Sequence, residues 1–204
     1  MMDSTEPNRR ILIIDDNVAI HEDFKKVLCQ GFDTSLLQET RGSLFDDAPE
    51  QQATEHFDVD CADQGQEGHR MVKKAAEQGR PYAVAFVDMR MPPGWDGVET
   101  IEHLWSVDDQ LQIVICTAFS DHAWYQVFER LKHKDKLLIL RKPFDNIEVW
   151  QLASSLTTRW NQFHQAKGQF DLMAQLADER AEEEQREAEQ IRLMSMASPP
   201  TSSD

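Results

Sequence analysis

The chain has 204 residues, of which 37 are acidic and 21 are lysine or arginine, so its formal net charge is −16. This negative charge argues against a nucleic-acid binder, because affinity for phosphates depends on cationic side chains. No apolar run approaches the roughly 20 residues of a membrane span, and the polar start of the chain is unlike a secretion signal. The three cysteines form no close pair, which fits reduced thiols. We therefore expect a cytoplasmic protein with no direct DNA binding and no membrane insertion.

The first part of the chain predicts a strand, a helix and a long irregular segment. Residues 9–14 end in an apolar run typical of a buried strand, and residues 18–28 carry apolar side chains on one helical face. Residues 31–56 show no sustained periodicity, so we expect an inserted loop with one short helix there. Residues 57–62 alternate apolar and acidic side chains, which is typical of a half-exposed edge strand.

Helices and strands then alternate as far as residue 158. Apolar runs at residues 83–87, 112–116 and 137–140 predict three further strands buried on both faces. The five alternations predict an α/β fold with a doubly wound, five-stranded parallel sheet. We place one domain at residues 9–158, behind a flexible N-terminus of residues 1–8. Its later helices are predicted over residues 65–78, 96–107, 120–133 and from Asp145 or Asn146 onwards.

The helical pattern continues beyond residue 158 as an extended C-terminal helix over residues 159–194. Apolar side chains recur there every seven residues, the pattern of a coiled coil, although charged residues such as Arg180 interrupt it. Two interpretations remain open: a helix that forms a homodimer with a second copy, and a single solvated helix that frays. Residues 195–204 are rich in serine and proline, so we expect disorder. The main seven-residue series is Val149, Leu156, Phe163, Phe170, Ala177, Glu184 and Ile191.

Polar side chains follow the predicted buried strands where each strand ends. Asp15 and Asp16 follow the first strand, Asp88 ends the third, and Thr117 and Lys142 end the fourth and fifth. Ligand sites of parallel sheets lie beyond the carboxyl ends of the strands, so these side chains should meet in one crevice. Three carboxylates suit Mg²⁺, which prefers oxygen ligands and keeps several waters.

The same side chains suit phosphoryl chemistry. A carboxylate such as Asp88 can attack phosphorus and form an aspartyl phosphate, while Thr117 can donate a hydrogen bond to the phosphoryl group and Lys142 can pair with its charge. Each residue alone also has a structural interpretation, as a helix cap, a turn residue, a satisfied hydroxyl or a surface lysine. Because all of these residues lie at the same ends of adjacent strands, a single site explains them better than a separate structural role for each.

Four segments, ILIIDDN, VAFVDMRMPPGWDG, VICTAF and LRKPF, resemble the response-regulator receiver domain of two-component signalling. The resemblance covers residues 9–158 and implies a flavodoxin-like fold with strand order 2-1-3-4-5. It implies that Asp88 accepts a phosphoryl group from a sensor histidine kinase or a phosphotransfer protein. It also implies that Thr117 and Lys142 contact that group and that the Lys142–Pro143 peptide is cis. The implied ligands of Mg²⁺ are Asp15, Asp16, Asp88 and the backbone carbonyl of Arg90.

Three features depart from the family pattern. The MPPGWDG segment (residues 91–97) is one residue longer than the usual loop, so the rim beside Asp88 should be reshaped. Ile139 stands three residues before Lys142, where the family often has a switching tyrosine or phenylalanine. The insertion at residues 31–56 lengthens the link between the first helix and the second strand.

The resemblance implies a phosphoacceptor switch and not an enzyme, with signalling through protein contacts or the C-terminal helix. One alternative is the receiver portion of a larger hybrid histidine kinase or cyclic-dinucleotide signalling enzyme. Another is a phosphohydrolase with an aspartyl-phosphate intermediate, which Arg90 disfavours because it stands where an acid–base aspartate would be expected. We interpret His21 as a surface or rim histidine and not as a phosphotransfer residue.

Overall fold

The structure is a computed structural model, and it describes residues 6–29, 56–118, 129–131 and 133–197. Strands and helices alternate through these residues, and a short 3₁₀ turn at Lys134–Lys136 precedes the last strand. The strands are β1 (Arg10–Ile14), β2 (Asp58–Ala62), β3 (Val84–Asp88), β4 (Gln112–Ala118) and β5 (Leu137–Lys142). The helices are α1 (Val18–Cys29), α2 (Gly65–Glu77), α3 (Gly97–Val107) and α4 (Asn146–Ala197).

The strands form one parallel sheet in the order β2-β1-β3-β4-β5, which confirms the predicted fold and strand order. The register aligns the carboxyl ends of the strands. Ile14 pairs with Val87, and Asp88 pairs with Cys116 on the next strand. Residues that follow these ends therefore share one edge of the sheet, as the sequence predicted.

Apolar side chains cover both faces of the central strands. In β1, Leu12 and Ile14 pack with the core under α2 and α3, while Ile11 and Ile13 pack with the core under α1 and the start of α4. Neighbouring strand residues point to opposite faces, so burial on both sides requires a continuous apolar run. β2 is only partly buried, which confirms the predicted edge strand.

β5 corrects one prediction. We expected a strand buried on both faces, but Leu138 is 40% exposed and Ile139 is 36% exposed. The sheet order explains the difference, because β5 is the second edge and pairs only with β4. An apolar run predicts burial of a strand less reliably at an edge than in the centre of the sheet.

The start of the chain is hydrogen-bonded to α4, and the chain divides into two compact units. Asn8 is held by reciprocal hydrogen bonds with Asn161 on α4, at 2.8 and 2.9 Å. The first compact unit runs from Met1 to Asn161, and the second comprises Gln162–Asp204. α4 continues to Ala197.

Several predictions fall outside the described part of the chain. These are most of the insertion at residues 31–56, most of the helix at residues 120–133, and the end of the C-terminal tail. The Lys142–Pro143 peptide is cis, as the resemblance implied, and so is Pro92–Pro93. Among the described helices, none combines the length and the apolar composition needed to cross a bilayer.

Candidate functional site

Asp15 lies at the centre of the carboxyl edge, directly after β1. Its backbone N–H donates to the carbonyl of Ala62 at 3.1 Å, which anchors the residue to β2. Its side chain is only 4% exposed. Oδ1 accepts from the backbone N–H of Asn17 at 3.0 Å, and Oδ2 accepts from Nζ of Lys142 at 2.6 Å. The carboxylate is therefore held in a buried position by two hydrogen bonds.

Asp88 ends β3, the central strand, and faces the same pocket. Its Oδ1 accepts from Nζ of Lys142 at 2.6 Å, and its Oδ2 accepts from the backbone N–H of Arg90 at 2.7 Å. The next residue, Met89, continues the pairing with β4 by donating to the carbonyl of Cys116 at 3.1 Å. The sheet and the following loop thus orient both carboxylate oxygens.

Lys142 joins the two carboxylates although it is distant from both in sequence. Burial by itself lowers the pKa of its ammonium, but hydrogen bonds and opposite charge from Asp15 and Asp88 outweigh burial and raise the pKa above the ordinary value. The ammonium therefore stays charged and supplies the counter-charge that two close carboxylates need. A third anionic group, such as a phosphoryl group, would meet a cation already in place.

Thr117 is buried one residue beyond the Asp88–Cys116 pair, so it reaches the same edge of the sheet. Its hydroxyl donates to the carbonyl of Ala118 at 3.2 Å. Lys142 pairs with Ala118 in the β4–β5 register. The Thr117 hydroxyl and the Lys142 ammonium therefore come from neighbouring strands.

Asp16 and Arg90 are exposed, and they stand at the rim of the pocket. Within the described ranges, no three acidic, histidine or cysteine side chains are grouped closely enough to form a metal site by themselves. The structure therefore gathers Asp15, Asp88 and Lys142. The roles of Asp16 and of the Arg90 carbonyl as metal ligands stay predictions.

His21 differs from our interpretation of it as a surface or rim histidine. The ring is buried, and Nδ1 lies 3.7 Å from a carboxylate oxygen of Asp63. Among the described residues, Nε2 has no hydrogen-bond partner. The amphipathic pattern of α1 explains the burial, because His21 shares a face with Phe24 and Leu28.

The sequence reasoning missed a cluster of aromatic rings that joins the loop after Asp88 to two helices, which we call the Trp95 cluster. It consists of His69 on α2, Trp95 in the β3–α3 loop and His103 on α3. The rings of Trp95 and His103 stack with centroids 4.0 Å apart and an interplanar angle of 14°. His69 meets both of them, at 5.9 and 5.6 Å. The long MPPGWDG loop was a signal for Trp95, but no sequence spacing links the two histidines.

The comparisons with known proteins point to one family. The chain matches the family model described as the response regulator receiver domain over residues 44–154, which is more than half of its length. The matched range contains Asp88, Thr117 and Lys142, whereas Asp15 and Asp16 precede it. No curated protein matches the sequence.

Several solved structures are similar in fold. One described as adenylate cyclase from Rhodopirellula baltica is 19% identical, with a TM-score of 0.58 over 80% of this chain and 98% of that one. A response regulator receiver protein from Sinorhizobium medicae is 18% identical, with a TM-score of 0.51 over 74% of this chain and 95% of that one. A receiver domain protein from Clostridium thermocellum is 20% identical, with a TM-score of 0.50 over the same shares. At these identities the likeness concerns the fold.

Proposed function

Because the chain belongs to the response-regulator receiver domain family, we propose that it is a switch controlled by phosphorylation of Asp88. The donor is the phosphohistidine of a sensor histidine kinase or a phosphotransfer protein. The observation that carries the proposal is the double contact of Lys142, whose Nζ lies 2.6 Å from both Asp15 and Asp88. That contact fixes one reactive carboxylate beside a permanent cation at the edge where parallel sheets bind ligands.

The transfer step is a substitution at phosphorus. A carboxylate oxygen of Asp88 forms the new P–O bond, the P–N bond to the donor imidazole breaks, and its electron pair returns to the nitrogen. Lys142 neutralises negative charge on the phosphoryl oxygens as they approach the pocket. Thr117 exchanges its hydrogen bond to the Ala118 carbonyl for one to a phosphoryl oxygen.

The donor set of the pocket fits Mg²⁺. Two carboxylates, Asp15 and Asp88, already face one another across Lys142, and Asp16 stands at the rim. Mg²⁺ commonly uses one or two carboxylates plus waters and phosphate oxygens, so a closed cage is not needed. Asp15, Asp16, Asp88 and the carbonyl of Arg90 would hold the ion, and bound Mg²⁺ would supply charge neutralisation at the phosphoryl group.

The output is proposed to pass through protein contacts and α4. Phosphorylation adds about −1.5 to −2 units of charge and new acceptor oxygens, so the bonds of Lys142 and Thr117 must rearrange. In the second compact unit, α4 exposes Phe163, Phe170 and Met173, by 47%, 72% and 69% of their surfaces. We propose that these side chains pair with a second copy of the chain.

A second candidate is the receiver portion of a larger signalling enzyme, such as a hybrid histidine kinase or a cyclic-dinucleotide enzyme. The helix of 52 residues favours it, because such a helix could connect the domain to a catalytic module. One similar structure is described as an adenylate cyclase, although that likeness is one of fold. Both candidates share the phosphoacceptor chemistry at Asp88.

The test is phosphorylation by a small-molecule donor. With Mg²⁺ and acetyl phosphate, intact-mass spectrometry should show one added phosphoryl group on the parent protein and none on Asp88→Asn. Asp109→Asn, an exposed acid outside the pocket, is the matched control and should behave like the parent. Equal labelling of Asp88→Asn would disprove the proposal. Sustained release of phosphate over many turnovers would favour the phosphohydrolase instead.

A further inference from the structure

The β3–α3 loop, residues 89–96, is anchored to the sheet at its start and is closed by a hydrogen bond between its first residue and the first residue of α3. At the start, Met89 donates to the Cys116 carbonyl at 3.1 Å. At the far end, the Gly97 N–H donates to the Met89 carbonyl at 3.1 Å. The loop therefore starts and ends close to the end of β3. Its first residue directly follows Asp88, the proposed phosphoacceptor.

The second half of the loop contacts α2 and α3 through Gly94 and Trp95. The Trp95 ring stacks on His103 of α3 at 4.0 Å and meets His69 of α2 edge-on at 5.9 Å. Gly94 packs so closely against α2 that a Cβ there would lie 2.1 Å from the Gln64 amide oxygen. Aromatic pairs in these arrangements stabilise a structure beyond the area they bury.

The loop also carries Arg90, whose backbone is part of the acidic pocket. The Arg90 N–H donates to Oδ2 of Asp88 at 2.7 Å. Its carbonyl is the backbone ligand expected for Mg²⁺ in the proposed function. The conformation of the loop therefore determines where one oxygen of the phosphoacceptor points and where one expected metal ligand stands.

We propose that Trp95 is a positioning residue for phosphoryl transfer, acting through the Trp95 cluster to hold the β3–α3 loop and thereby Arg90 against Asp88. This inference rests on the proposed function of Asp88. It gives the longer MPPGWDG segment a role, because the tryptophan of that segment reaches two helices beyond the loop. When Trp95 holds the loop, the Arg90 carbonyl is ordered before Mg²⁺ binds.

The experiment compares Trp95→Ala and Trp95→Phe with the parent protein. Without Mg²⁺, hydrogen exchange at the Arg90 amide should be faster in Trp95→Ala, since the loop has lost its outer anchor. By titration calorimetry, Trp95→Ala should bind Mg²⁺ about three- to tenfold more weakly, the loss expected for an aromatic pair. Trp95→Phe retains a ring that stacks on His103, so it should recover most of both properties.

Val27→Ala is the control for general destabilisation. Val27 is buried on α1 under the opposite face of the sheet, so its truncation weakens the core away from the loop. Its Mg²⁺ affinity and Arg90 exchange, measured well below the melting temperature, should match those of the parent. The inference is overturned if Trp95→Ala equals the parent in both readouts, or if Val27→Ala changes them equally. A parent protein that neither binds Mg²⁺ nor accepts a phosphoryl group would overturn the proposed function as well.

Discussion

Lys142 is the single residue on which the acidic pocket depends. Its ammonium is the shared partner of the Asp15 and Asp88 carboxylates, and the three groups come from β1, β3 and β5. Removing one partner of a buried charge network leaves the other charges uncompensated, which costs more than the intact network contributes. The residue therefore matters for stability as well as for the proposed phosphoryl binding.

We expect Lys142→Met to lower the free energy of unfolding by about 1–3 kcal/mol in Mg²⁺-free buffer. This is less than the loss for a fully buried pair, because the Lys142 side chain is 22% exposed and solvent screens part of the interaction. Urea denaturation measures the change. Lys26→Met removes an exposed pair with Asp23 and should change stability by less than about 0.5 kcal/mol. Equal effects of the two substitutions would contradict this account of the pocket.

His69 gives a pH dependence with a defined sign. Burial, followed by the nearby His103 and Lys73, lowers the pKa of His69 below its ordinary value of 6.5. As the pH falls below that value, the unfolded chain takes up the proton before the folded protein does, so stability is lost on acidification. Between about pH 7 and about pH 5, the free energy of unfolding should fall less in His69→Gln than in the parent. An identical pH dependence of the two proteins would refute this assignment.

At the scale of elements, α3 begins in direct contact with the end of β3. A Cβ at Gly97 would lie 2.6 Å from the Asp88 carbonyl oxygen and 2.9 Å from the Met89 Cα. Both neighbours are backbone atoms, which cannot move aside as a flexible side chain can. The absence of a side chain at Gly97 therefore permits the close approach of α3 to the backbone at the end of β3.

Gly97→Ala should lower the free energy of unfolding by about 1–3 kcal/mol, since overpacking against rigid neighbours forces a backbone shift. Gly168→Ala is the matched control within α4, where a Cβ would meet nothing within 4 Å. That substitution should stabilise its helix by up to about 1 kcal/mol, the difference in helix propensity. Thermal and urea unfolding of both variants provide the measurement. The packing argument fails if Gly97→Ala is as stable as the parent.

The sequence predicted the central elements well because their physical constraint is strong. Where a strand is buried on both faces it must be apolar at every position, as it is at residues 11–14 of β1 and 84–87 of β3. The constraint is weaker at the sheet edge, where the apolar run of β5 suggested more burial than the strand has.

The candidate site also has a part that the sequence predicted and a part that it did not. Its residues were predictable because each lies at or just beyond the carboxyl end of a strand. Parallel topology brings these ends together even when Asp15 and Lys142 are 127 residues apart. The Trp95 cluster had no such rule, since it joins two helices and a loop through side-chain packing. The burial of His21 likewise depends on the packing of α1. The interpretation of His21 as a rim histidine did not take that packing into account.

At the scale of the whole molecule, the exposed apolar side chains of α4 predict self-association. Phe163 and Phe170 lie seven residues apart in the helix, and Met173 falls at the complementary coiled-coil position. Side chains of this size are rarely left in water as a continuous stripe unless they contact a partner. A dimer would bury these side chains. Phosphorylation of Asp88 would then change the relative arrangement of the two copies.

Phe170→Glu should weaken the proposed dimer more than tenfold, because burying the phenylalanine is worth roughly 1.5–3 kcal/mol. Sedimentation equilibrium of the full chain measures the dissociation constant. Gln175→Glu adds the same charge outside the coiled-coil seam and should change association little. A parent protein that stays monomeric at high concentration, with and without phosphorylation, would contradict the homodimer.

The central claim is that Asp88, among the many carboxylates of this acidic chain, is the one that becomes phosphorylated. Borohydride reduces an aspartyl phosphate to homoserine, so peptide mass spectrometry after Mg²⁺ and acetyl phosphate treatment can identify the modified position. The account predicts homoserine at position 88 and, in Lys142→Met, much less of it. Homoserine at another aspartate, or none in a parent protein that has bound Mg²⁺, would contradict the account.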